Sequence, residues 1–86
     1  MRGIVTIKRN CCGELQKTEI FLIPQHLESL PLPSLRRIAI RKFAEKDNLE
    51  IVGSCDHGDN VTCSGARSIV NSATMFTLEA VCADID

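Results

Sequence analysis

Between Ser34 and Lys46 the chain carries its best-developed 3.6-residue repeat, set among short segments that alternate with a period of two. Leu35, Ile38, Ala39 and Phe43 fall on one face at three- and four-residue spacing, while Arg37, Arg41 and Glu45 fall opposite. The spacing predicts an amphipathic helix over 34–46, with Ser34 as N-cap and Asp47-Asn48 as its end. One main helix needs something other than a second helix to bury its apolar stripe, and a sheet is the natural partner.

Strand-like segments lie on both sides. In Gly3 to Arg9, Ile4 and Thr6 point one way and Val5 and Ile7 the other, with β-branched residues throughout. Asn10-Cys11-Cys12-Gly13 supplies a turn, and Glu14 to Ile23 ends in Ile20-Phe21-Leu22-Ile23, which reads as a strand buried on both faces at its far end. Pro24 closes this hairpin, and 25–33 is a connector with room for one helical turn.

A second hairpin follows the helix: Leu49 to Ser54, a turn-rich tip at Asp56-His57-Gly58-Asp59-Asn60, then a short strand around Val61 to Cys63. Ser64-Gly65 reads as a break and Ala66 to Ala73 as a short helix. Thr74 to Ala83 alternates with Phe76, Leu78, Ala80 and Cys82 on one side, favouring a final strand. Periodicity alone leaves 66–83 open, because Ile69, Ala73, Phe76 and Ala80 also share a helical face. The fold class expected is α+β: a small antiparallel sheet of two hairpins plus a C-terminal strand, one main helix on one face, and residues 1–86 as a single domain.

Composition limits the functional classes. Lys and Arg number 10 against 11 Asp and Glu, so no global field steers the chain toward nucleic acid or an anionic membrane. No apolar run approaches the roughly 18 residues of a membrane span, and Met1 to Asn10 lacks the longer apolar core of a signal peptide. A cytoplasmic location is therefore expected. The cysteine count, five, is odd, which with no export signal points to free thiols rather than a disulfide framework. The three phenylalanines, Phe21, Phe43 and Phe76, are expected to be core volume.

Four constellations carry possible chemistry. Cys11, Cys12, Cys55, His57 and Cys63 include zinc-type ligands, but Cys11-Cys12 are adjacent where knuckles need a gap, so no metal is expected. Cys55 with His57, or Cys63 with His26, supplies a thiol and a base, with no spacing that compels either pair. Ser64 and Arg67 mark a weak anion site; only three residues separate Cys63 from Arg67, where a phosphatase loop needs five. Asp56, Asp59 and Asn60 lack the alternating carboxylates and later Glu of a calcium loop and are turn residues instead. Finally, Arg36, Arg37, Arg41 and Lys42 make the helix basic and are the expected partner-binding residues.

These features support a small non-enzymatic interaction module, an accessory or inhibitory subunit docking on a larger protein, without cofactor and with possible homodimerisation through a sheet edge. The alternatives are a nucleic-acid-associated regulator using the helix 34–46, and a thiol or zinc-binding protein.

Overall fold

The computed structural model describes residues 1–10, 13–58 and 60–84. Five strands, β1 (Arg2–Arg9), β2 (Glu14–Leu22), β3 (Leu49–His57), β4 (Val61–Ser68) and β5 (Met75–Ala83), form one antiparallel sheet in the order β2-β1-β5-β4-β3. The first and last strands therefore pair with each other in the interior of the sheet, from Arg2 opposite Ala83 to Arg9 opposite Phe76. Strands β2 and β3 are left as the edges. Helix α1 (Leu32–Lys46) connects these two edges, crossing one face of the sheet, as the α+β expectation required.

The alternation in β1 sorts its side chains as read from the sequence. Val5 and Ile7 are buried beneath α1, while Ile4 and Thr6 face the other way. Leu78 and Ala80 of β5, Ala66 of β4 and Leu49 of β3 complete the sheet side of the core. Helix α1 contributes Ala39, Ile40, Phe43 and Ala44 to the same cluster. Phe43 is fully buried and meets Phe21 edge to face, with ring centroids 6.3 Å apart at 80°. Phe21 and Phe76 pack against this core as half-buried rings. At Gly3 a Cβ would stand 2.6 Å from the Cβ of Ala39, so the missing side chain is what lets α1 approach β1.

Three local readings need correction. The helix begins at Leu32, two residues before Ser34, and no side-chain cap bond is made at its N-cap, Pro31. Pro33 is tolerated because an N–H in the first turn has no intrahelical acceptor, so its loss costs nothing there. Strand β4 runs through Ser64 and Gly65 to Ser68 instead of breaking, and the short helix over 66–73 does not form. Neighbours on both sides hold it extended: Gly65 pairs with Gly53 of β3 and with Thr77 of β5. The end of β2 is not buried on both faces, since Ile20 and Leu22 are 58% and 66% exposed. Helix α1 covers one side of the sheet, so residues facing away from it stay open.

Candidate functional site: the helix-free face of the sheet

In an antiparallel sheet, residues opposite one another share a face, so register alone orders the uncovered side into rows. One row runs Leu22, Arg2, Ala83, and the next Ile20, Ile4, Val81. The following row crosses every strand as Thr18, Thr6, Glu79, Cys63, Cys55, and beyond it lie Lys8, Thr77, Gly65 and Gly53. The face is thus divided. On β2, β1 and β5 the first two rows are apolar apart from Arg2 and the next row is polar, while the β4-β3 end carries thiols beside a bare strip where Gly53 and Gly65 present no side chain.

Small polar contacts organise this face. Thr6 and Thr18 share a hydroxyl hydrogen bond of 3.2 Å, and Lys8 lies 3.9 Å from Glu79. Burial pushes the Cys63 thiol up from its ordinary range, helped by the negative charges of Glu79 and Cys55 and opposed by Lys8. Arg67, also on β4, meets Glu50 of β3 at 3.3 Å.

The covered side holds a different network, built where α1 crosses the β3–β4 hairpin. Arg36 is 1% exposed, and its Nε donates to Thr62 Oγ1 at 2.8 Å. Thr62 in turn donates to Asp56 Oδ1 at 2.6 Å, and Arg37 Nη2 donates to Asp56 Oδ2 at 2.6 Å. The Thr62 hydrogen bond and then the Arg37 guanidinium hold the Asp56 carboxyl below the usual carboxylate range. Next to them Ser54 and Ser64 share a 2.7 Å hydroxyl hydrogen bond. These contacts fasten the first half of α1 to the hairpin.

The residues singled out in the sequence are redistributed by this geometry. Arg36 belongs to the interior and is not part of an outward basic face. Arg37 is exposed but engaged by Asp56. Arg41 and Lys42 are exposed and, among the described residues, enter no ion pair. Ser64 and Arg67 point to opposite faces of β4, Ser64 beneath the helix and Arg67 on the open side, so they cannot share an anion. The helix expected to begin after them does not form, because that segment is strand.

The described residues contain no group of three His, Cys, Asp or Glu side chains arranged to hold a metal ion. Cys11, Cys12 and Asp59 lie outside the described residues. Among those described, no hydrogen bond joins Cys55 to His57, and His26 sits in the 3-10 turn Gln25–Leu27, in the connector between β2 and α1. What the sequence reading missed is that Cys55 and Cys63 are direct cross-strand partners. The signal was available in a hairpin whose arms are counted outward from the Gly58 tip, but only if the first arm is known to continue as strand past Ser54 to His57.

Among the described residues, no helix is long and apolar enough to cross a membrane. Comparisons with protein-family models, curated proteins and solved structures return no match. The molecule is therefore defined by its architecture, an α+β fold with one helix-covered and one open sheet face.

Proposed function

We propose that this chain is a non-enzymatic interaction module, an accessory or inhibitory subunit that docks on a larger protein through the open face of its sheet. The observation that carries this reading is the apolar cluster of Ile4, Ile20, Leu22 and Val81, placed side by side by register with Arg2 beside Leu22, on the face that α1 does not cover. Isolated exposed apolar residues are ordinary, whereas contiguous ones point to a contact surface.

The size of this cluster means that a docking contact must extend beyond it. With strands about 4.8 Å apart and residues rising about 3.3 Å, the two apolar rows on three strands span on the order of 200 Å². A stable interface buries about 800 Å² on each side, so a symmetric contact restricted to these rows is too small. A larger protein surface can cover the rows together with the exposed edge of β2, adding main-chain hydrogen bonds to apolar burial.

The test is affinity capture from the native host followed by sizing of the complex, using the wild-type protein, Ile20→Lys/Leu22→Lys and Arg41→Glu/Lys42→Glu. A partner retained by the wild type and the helix variant but lost from the sheet variant supports the reading. Loss only from Arg41→Glu/Lys42→Glu, with nucleic acid in the complex and a shallower salt dependence, transfers the contact to the helix and refutes it. A wild-type protein that sizes as a monomer and captures nothing also refutes it.

A further inference from the structure

We propose that Cys55 and Cys63 form a cross-strand dithiol that undergoes thiol–disulfide exchange with low-molecular-weight disulfides, closing reversibly into a disulfide that staples the edge strand β3 to β4. The inference is independent of the docking reading.

Three observations converge on this pair. Register sets Cys55 directly opposite Cys63, with Asp56 opposite Thr62 and Ser54 opposite Ser64 on either side. Direct partners in an antiparallel ladder have Cα atoms about 4.5–5.5 Å apart, within the roughly 4.4–6.8 Å that a disulfide spans, so the backbone separation admits the bond once the two side chains turn toward each other. Access comes next. Cys55 is exposed on an edge strand, and the adjoining row is Gly53 opposite Gly65, where even a built Cβ would meet nothing within 4 Å. A small disulfide can therefore lie flat against the sheet beside the thiol. The third observation is the asymmetry of the pair: Cys63 is half-buried beside Glu79 and its thiol is held up, whereas Cys55 faces solvent.

This asymmetry assigns the order of events. The Cys55 thiolate attacks one sulfur of the incoming disulfide, the S–S bond breaks, and one small thiolate leaves. Cys63 then loses its proton to solvent and attacks the Cys55 sulfur of the mixed disulfide, expelling the second small thiolate. Two protein thiols and one small disulfide become one protein disulfide and two small thiols, so electrons and protons balance. Once Cys55 is capped, its negative charge no longer opposes ionisation of Cys63, which favours the second step. Cys82 cannot take part in this way, because its partner on β1 is Gly3.

The experiment uses the full chain incubated with oxidised glutathione, quenched by acid, and analysed by intact mass, thiol titration after unfolding and peptide mapping. The expected product has lost two of its five thiols to a Cys55–Cys63 link, and excess reduced glutathione restores both. Cys63→Ser should instead accumulate the glutathione adduct on Cys55, and Cys55→Ser should react at Cys63 at least about tenfold more slowly than the wild type reacts at Cys55. A wild-type protein in which the adduct on Cys55 persists, or in which the link joins other cysteines, overturns the proposal. Should a serine variant fail to fold by circular dichroism, the wild-type peptide map alone decides between these results.

Discussion

Replacing Gly3 by Ala should be among the most damaging single-methyl changes available in this chain. The added Cβ would lie 2.6 Å from Ala39 Cβ, whereas carbon atoms pack at about 3.5–4.0 Å. Neither atom sits at the end of a rotatable side chain, so the roughly 1 Å shortfall has to be met by lifting α1 from β1. That movement loosens Leu35, Ala39 and Phe43, all with no exposed surface. Overpacking of this kind costs about 1–3 kcal/mol, and a domain of this length loses roughly 4–8 °C of Tm per kcal/mol. Urea unfolding followed by far-ultraviolet circular dichroism suits a chain without Trp or Tyr. The discriminating variant is Ala39→Gly, which vacates the space at a helix-propensity cost of about 1 kcal/mol. Gly3→Ala should add little further loss in the Ala39→Gly background. Wild-type stability in Gly3→Ala, or a double variant as unstable as the two separate losses added together, refutes the close-approach argument.

Phe43→Ala removes the fully buried ring that meets Phe21, and should cost about 3–5 kcal/mol, close to the whole stability of so small a domain; a thermal melt reads it directly. Thr62→Val keeps the shape but deletes the hydroxyl between Arg36 and Asp56, and should lower stability by about 1–3 kcal/mol in urea unfolding. Asp56 is held below the usual carboxylate range by Thr62 and Arg37, and Glu19 by Lys46 and Lys17. Their contributions are present above the unfolded carboxylate pKa of about 4 and are lost as pH falls through the lower folded values, so urea midpoints should drop on acidification and Asp56→Asn should flatten that drop. Ile20→Lys/Leu22→Lys, both exposed, should leave stability within about 0.5 kcal/mol while abolishing docking, and a large stability loss would show that these residues serve the fold instead.

Local chemistry was enough to read the strand at Gly3–Arg9 and the helix between the two hairpins, because alternation and 3.6-residue spacing act over a few neighbouring residues; at Thr74–Ala83 it favoured a strand but left a helical face in competition. It misled wherever a distant strand supplied the deciding bonds. Ser64-Gly65 has the composition of a break, yet hydrogen-bonded neighbours on both sides carry β4 straight through it. Ile20-Phe21-Leu22-Ile23 reads as doubly buried, yet its position on an edge strand beneath one helix exposes alternate residues. Arg36 reads as surface charge, yet the crossing of α1 over β4 buries it against Thr62.

The candidate site was legible in its residue types but not in its grouping. Cys55, Cys63, Ile4, Ile20 and Val81 are ordinary as sequence positions; pairing of β1 with β2 and β5, and extension of β3 past Ser54 to His57, turn them into an apolar face and a dithiol. Side-chain periodicity by itself determined β1 and α1 and which face each residue takes within a strand once that strand forms. Only the tertiary structure decided which strands are neighbours, how closely α1 approaches Gly3 and which sheet face stays open, because those depend on contacts between residues far apart in the chain.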